Sequence, residues 1–501
     1  MSVGVPSTAV ARERHGPAGA TRLAPRRWLR AVHSALGHRM FLVLLVTALT
    51  IRIGAMALEF PAVMDSQDSP RFARTGPVGL FSDYWMPAGY AAFLKVLHHV
   101  SDQVWFSIAV QHLLGLVVGI LVFLTARRLT APPWLATVAA APVLLSGDVV
   151  FLEHILMADW AMLAWTVAAI AAVACGLYPH ADRRWLAVGG ACGAAAALCR
   201  SPGLVVIVVL VTSALLAAGP GLRRRLANAA SVLAGAAAIL GAYVACFWAV
   251  GGSYLGLSDM TGWNLYTRVA PFADCSKFTP PRGTNVLCET TPPSQRAGVF
   301  YYSWDANSPS RRYFQPQDPT TAGPLGRFAR TVILHQPGDY LVAVGTDLLR
   351  YLEPSAGSQR GYSGQGRDLV SFGFRDPPTE QRVTAALDKR YDGVRVHDHG
   401  THTLAVYQNL VRVDRLLLCL ALFSMVAGLV LARGPLRLGA GLFGGCAIGL
   451  YVLPTLTISY DFRYGIPPGV LLAVAGLLGA AGVVRARRGT ALSTESSAAA
   501  Q

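Results

Sequence analysis

Long apolar runs alternate along this chain with short polar connections. A membrane helix needs roughly 17–25 mostly apolar residues, and such runs lie near 40–58, 104–126, 131–148, 158–177, 185–199, 203–219, 227–250, 415–432, 438–457 and 465–484. The run at 185–199 is short and turns into the next at Arg200-Ser201-Pro202. The pattern predicts a polytopic α-helical membrane protein with about ten transmembrane helices. Between 251 and 414 it lapses into Gly, Pro, Ser, Thr and aromatics, enough chain to fold by itself, with helices expected near 325–352 and 378–390. Within 59–103, Met86–Val100 carries apolar residues at helical spacing with Lys95, His98 and His99 at one end. That reads as a helix lying in the membrane interface, with Tyr84 and Trp85 at headgroup depth.

Composition agrees. Of the 501 residues, 53% are hydrophobic and only 14% charged, where an ordinary soluble domain carries about 25%. The formal charge of +16 comes from Arg far more than Lys, and its distribution matters more than its sum. Arg127-Arg128, Arg183-Arg184, Arg223-Arg224-Arg225, Arg433 with Arg437, and Arg485 with Arg487-Arg488 make every second connection basic, as is the tail 1–39. Cytoplasmic loops hold an excess of Lys and Arg, so both termini are expected in the cytoplasm of a multi-pass plasma-membrane protein. The Arg bias does not read as a nucleic-acid surface.

The domain plan that follows is a basic cytoplasmic tail at 1–39, a transmembrane core at 40–250 with an exoplasmic loop at 59–103, an exoplasmic domain at 251–414, C-terminal transmembrane helices at 415–484 and a cytoplasmic tail at 485–501, expected to be disordered after Arg488. Cys275 and Cys288 are the only cysteines of the exoplasmic segment, and on an oxidising side they are expected to form a disulfide. The other six, in or beside spans, read as small hydrophobes.

Acidic residues at a membrane boundary are costly without a partner or a task. Three groups fall on the predicted outer side: Asp65 and Asp68; Asp148, Glu153-His154 and Asp159; and Asp461 before the last span. Coming from one leaflet, they can converge on one outward cavity. Bland readings stand beside this one. Asp68 can be a helix N-cap, Asp159 a structural hydrogen-bond partner, Glu153 and His154 solvated turn residues, and Arg463 a snorkelling lipid anchor. Gln111 and His112, inside a span, read as bonds to neighbouring helices, and Arg52 as snorkelling or paired within the bundle. The aromatics of 300–314 suit sugar stacking or core packing.

Asp68-Ser69-Pro70-Arg71-Phe72-Ala73 resembles the acidic-x-x-Arg-aromatic-Ala run after the first helix of the GT-C glycosyltransferases, a superfamily that includes protein O-mannosyltransferases and lipid A aminoarabinose transferases. Ser459-Tyr460-Asp461-Phe462-Arg463-Tyr464 with Ile466-Pro467-Pro468 resembles that family's Arg-Tyr-x-x-Pro run, and Leu156-Met157-Ala158-Asp159 its second acidic site. The long outer domain lies mid-chain here rather than at the C-terminus. The resemblance implies an inverting hexosyl- or pentosyltransferase that moves a sugar from a polyprenyl-phosphate donor to an exoplasmic acceptor hydroxyl. Asp68 is the expected base, with Asp65 the alternative. Asp159, Glu153, His154, Arg71, Arg463 and Tyr464 are expected to bind substrate.

A carboxylate is needed to take the acceptor proton and a cation to stabilise the departing phosphate. No metal constellation stands out, and His397, His399 and His402 read as a solvated loop; a divalent cation at the phosphate stays open as a cofactor. The expected partners are the donor, membrane lipid and an exoplasmic acceptor, with no nucleic acid. A transporter or flippase of lipid-linked or small polar substrates, and a non-catalytic membrane assembly protein, are the competing readings. Paired repeats and midplane polar sites would mark a transporter, and neither is evident.

Overall fold

A computed structural model describes residues 39–64, 68–74, 80–81, 85–217, 221–249, 257–258, 260–315, 319–352, 371–373 and 377–498. The tail 1–38 and the expected positions Asp65 and Tyr84 lie outside the described residues. The protein is a polytopic helical membrane protein. Its first half runs through α1 (Arg39–Leu58), α2 (Asp68–Arg74), α3 (Gly89–His98), α4 (Val104–Arg128), α5 (Pro133–Leu145), α6 (Gly147–Glu153), α7 (Ala158–Leu177), α8 (Arg183–Cys199), α9 (Leu204–Ala217) and α10 (Leu222–Ala249). The mid-chain region contributes α11 (Thr261–Val269), α12 (Ala322–His335), α13 (Pro337–Arg350), α14 (Pro377–Leu387) and α15 (Thr401–Leu410), and the chain closes with α16 (Arg415–Leu431), α17 (Pro435–Thr457) and α18 (Ile466–Ala498).

Among the described residues, seven helices are long and apolar enough to cross a membrane, or eight if the bent pair α5–α6 is one span. The other two expected spans are helices too short for that measure, α8 at 17 residues and α9 at 14. Gly190 of α8 and Gly235 of α10 sit where the two backbones touch, with no room for a Cβ. Lipid-facing side chains such as Leu42, Val43, Ile53, Val208, Leu420 and Phe423 stay exposed on the protein.

The span near 131–148 breaks by 53° between α5 and α6. Ser146 leaves helical geometry there (φ −59°, ψ 122°), which strands backbone polar groups at membrane depth. Each needs a substitute partner. Arg52 donates to the Leu144 carbonyl at 2.8 Å, the Tyr407 hydroxyl donates to the Leu145 carbonyl, and Gly147 N–H donates to the Val411 carbonyl at 2.7 Å.

Residues 251–414 divide between two cores. Met260 to Val332 build a core of their own around Trp263, Tyr266, Phe328 and Tyr302, where Cys275 and Cys288 form a disulfide. Phe372, Val383, Leu387, Tyr391 and Leu404 instead join the core of the transmembrane helices. Glu59–Phe60 (β1) pairs antiparallel with His397–Asp398 (β2), tying the end of α1 to the mid-chain region.

The helix expected over 325–352 is two helices broken at Gln336-Pro337, since Pro lacks the N–H a continuous helix needs. A helix expected within 86–100 is found as α3, and one expected near 378–390 as α14. After Arg488, where disorder is expected, α18 continues to Ala498. Of the 300–314 aromatics, Tyr302 is buried in the mid-chain core, while Trp304 stays half-exposed and stacks on Trp85 at 4.9 Å.

Candidate active site

Four connections bring charged side chains to one place. The first is α2, which begins at Asp68 and is pinned where the Ser69 hydroxyl donates to the Leu156 carbonyl at 3.0 Å. The second is the first turn of α7, carrying Asp159. The third is the break between α8 and α9, where Arg200 precedes the Ser201–Gly203 turn. The fourth is the turn Phe462–Gly465 before α18, in which Asp461 accepts a hydrogen bond from the Arg463 N–H at 3.1 Å.

In this cluster Arg463 Nη1 donates to Asp68 Oδ2 at 2.8 Å, and Arg463 Nε lies 3.2 Å from Asp461 Oδ2. Arg200 Nη2 donates to Asp159 Oδ2 at 2.6 Å and lies 3.8 Å from Asp68 Oδ2. Arg71 reaches Asp68 Oδ1 at 3.9 Å from the next turn of α2. The Tyr464 ring lies under both Arg463 and Arg200, at 5.2 and 5.6 Å, where its π face attracts the cations.

The three carboxylates differ in access. Asp159 and Asp461 are sealed at 1% side-chain exposure, whereas Asp68 keeps 14%. Asp159 therefore fixes Arg200, Asp461 fixes Arg463, and Asp68 is the carboxylate open to an incoming group. Burial pushes the Asp68 carboxyl up, but the Arg463, Arg200 and Arg71 guanidiniums outweigh it and hold the group below its ordinary value. Burial wins at Asp461 and raises it, with Arg463 only partly offsetting.

The turn bearing Arg463 is braced from the mid-chain region. Asp347 on α13, fully buried, accepts from Tyr460 N–H at 3.1 Å, from Arg268 at 2.5 Å and from Arg350 at 3.1 Å. Tyr340 donates to the Leu456 carbonyl at 2.8 Å.

Glu153 and His154 are not in a solvated turn. Both are buried, at 1% and 0% exposure. Glu153 accepts two hydrogen bonds from Arg52, each 2.8 Å, and contacts His112 Nδ1 at 3.0 Å. His154 meets His112 at 2.9 Å and the Glu59 carbonyl at 2.6 Å. Gln111 donates to the Glu153 and Ile155 carbonyls and accepts from Tyr90 and Trp160. Arg52, Gln111 and His112 thus lock α1, α4 and α6 together inside the bundle.

Arg200 belongs to the cluster although the sequence offered it only as a turn residue. Its signal was that of a cation on a connection which the alternation of basic loops assigns to the opposite face. Among the described residues no group of three or more His, Cys, Asp or Glu is placed to hold a metal ion; Asp65 lies outside them.

No protein-family model and no curated protein matches this chain. Two solved structures of the Archaeoglobus fulgidus oligosaccharyltransferase are similar to it. One, the archaeal oligosaccharyltransferase AglB in complex with an inhibitory peptide and a dolichol-phosphate, aligns at 11% identity and a TM-score of 0.44, covering 89% of this chain and 50% of that one. The other, in the apo form, aligns at 12% identity and a TM-score of 0.43, covering 88% and 50%. The chain spans about half the length of these structures.

Proposed function

We propose that the protein is an inverting glycosyltransferase that takes a hexosyl or pentosyl group from a polyprenyl-phosphate donor and passes it to an acceptor hydroxyl on the exoplasmic face. The observation that supports this most is the Asp68 carboxylate, partly open, with Arg463 at 2.8 Å and Arg200 at 3.8 Å from one of its oxygens. A lipid phosphate arriving at the rim would replace Asp68 on Arg463, since guanidinium and phosphate oxygens match in geometry and charge. The freed carboxylate, ionised at neutral pH, then faces the acceptor.

In one displacement the acceptor oxygen bonds to the anomeric carbon, and its proton passes to Asp68. The carbon–oxygen bond to phosphate breaks, and its electron pair leaves with the lipid phosphate. Arg463 and Arg200 stabilise the charge that develops there, and the anomeric configuration inverts. Asp159 and Asp461 orient the two cations; Arg71 and Tyr464 border the same space. Glu153 and His154, being committed to Arg52 and His112, hold the bundle rather than the substrate. A divalent cation, if bound, would add positive charge at the phosphate, and Asp68 is the partly open carboxylate that could hold it.

The basic connections, read as cytoplasmic, support a location of this site and the mid-chain domain on the outer face. Nucleotide sugars are absent there, so a lipid-delivered donor suits that location. The test is release of polyprenyl phosphate from synthetic mannosyl and arabinofuranosyl donors by membranes containing the wild type or Asp68→Asn. Release by the wild type alone is expected. No release from either donor overturns the reading, and equal release removes Asp68 as the base.

A further inference from the structure

The turn that carries Arg463 has a second side. Arg463 and Tyr464 meet the Asp68 cluster, whereas Tyr460, Phe462, Gly465 and Ile466 line a separate cavity of about 360 Å³. Its size falls within the range of small-ligand sites, roughly 300–1,000 Å³. The remaining walls come from the α5–α6 break, the end of α13, the chain leading into α16 and its first turn, Tyr451 of α17 and the first turn of α18.

Charge in this cavity leans positive. Arg350, Arg412 and Arg415 bring three guanidiniums to it, against the carboxylates of Asp148 and Asp414, and Arg350 also bonds Asp347 at 3.1 Å. Each carboxylate has a fixed neutral donor: Asp148 accepts from Gln408 Nε2 at 2.9 Å, and Asp414 caps α16 by accepting from Leu417 N–H at 2.9 Å. Below the arginines the lining turns apolar, with Leu416, Leu418 and Val470. Leu416 is also 65% exposed, on an α16 face shared with Leu420 at 53% and Phe423 at 74%. Among the described residues that face is left largely uncovered, and a membrane helix meets acyl chains there. The cavity therefore joins a cluster of guanidiniums to an exposed apolar helix face. Basic pockets between transmembrane helices suit anionic headgroups in this way.

We propose that this cavity binds the phosphate headgroup of an anionic bilayer phospholipid, with an acyl chain lying along α16. The ligand is bilayer lipid rather than the sugar donor, because the donor phosphate is assigned to Arg463 and Arg200 on the other side of the turn. Binding here depends on the fold and the arginines, not on catalysis, so it is tested without turnover.

The full-length protein is placed in phosphatidylcholine nanodiscs, and phosphatidylglycerol binding is followed by native mass spectrometry. One phosphatidylglycerol is expected to be retained per chain. Its apparent affinity should fall about tenfold or more in Arg412→Gln/Arg415→Gln, which removes two charge-assisted phosphate contacts. Leu416→Trp, on the exposed rim, should weaken retention while leaving the lipid-free unfolding midpoint unchanged, which separates lost binding from lost folding. Equal retention by the wild type and the double arginine variant overturns the proposal. Displacement by polyprenyl phosphate at equal concentration makes the cavity a donor site, and displacement by millimolar inorganic phosphate makes it a free-anion site; either result overturns it as well.

Discussion

Arg463 reaches across 395 positions of sequence to hold the Asp68 carboxylate at 2.8 Å. A carboxylate so placed is either half of a structural ion pair or a base waiting behind its cation. The two roles predict different losses. Asp68→Asn keeps the shape of the group and removes its proton affinity, so a catalytic role predicts a fall in kcat of about 10²–10⁴ with donor binding retained. Rates of lipid-phosphate release, together with unfolding midpoints, check this. A structural role would lower the midpoint and leave the kcat of the folded protein intact.

The pH profile carries a sign. Asp68 titrates below its ordinary 3.8, because its guanidinium neighbours outweigh burial. The base therefore stays ionised as pH falls toward that value, and the stability it contributes is lost only as pH drops through its folded pKa. Arg71→Gln removes one cation at 3.9 Å and leaves burial less opposed. The acid limb of kcat/KM should move to higher pH. A shift to lower pH, or none, contradicts Asp68 as the titrating base.

Glu153 should behave as structure. Removing it strands Arg52, which is 2% exposed, and breaking a buried pair from one side costs about 3–5 kcal/mol. Glu153→Ala should lower the yield of folded protein and its unfolding midpoint, whereas Arg52→Leu with Glu153→Leu should recover much of the loss. Any Glu153→Ala protein that folds should keep the wild-type KM for donor, and a large rise in KM would return Glu153 to the substrate. Gly115→Ala should also destabilise, since a Cβ there would collide with the Glu153 carboxylate.

Orientation is tested at Thr320, which is exposed beside α12. Thr320→Cys should react with an impermeant maleimide added outside intact cells. Labelling only after the membrane is opened would place the mid-chain domain in the cytoplasm and remove the exoplasmic chemistry.

Helices were legible in the sequence because lipid imposes a length and an apolar composition that a single run of residues displays. Among the described residues each run between 40 and 250 and between 415 and 484 falls on a helix, that of 131–148 on a broken pair. The break at Ser146 was not legible, because its cost is met by Arg52, Tyr407 and Val411, partners far away along the chain. Acidic clusters near the outer boundary were visible as residue types out of place in their solvent, yet their fates diverged. Asp68 and Asp159 gather around Arg200 and Arg463, while Glu153 turns inward to Arg52.

By itself, then, the chain's pattern determined the solvent, the class of fold and the candidate charges, since burial in lipid constrains each segment locally. Only tertiary packing decided which carboxylate keeps an open edge, which arginines stand beside it and which cavity lies behind the Tyr460–Ile466 turn. Those are relations between segments hundreds of residues apart, and a charge's environment is set by what packs against it rather than by its neighbours in sequence.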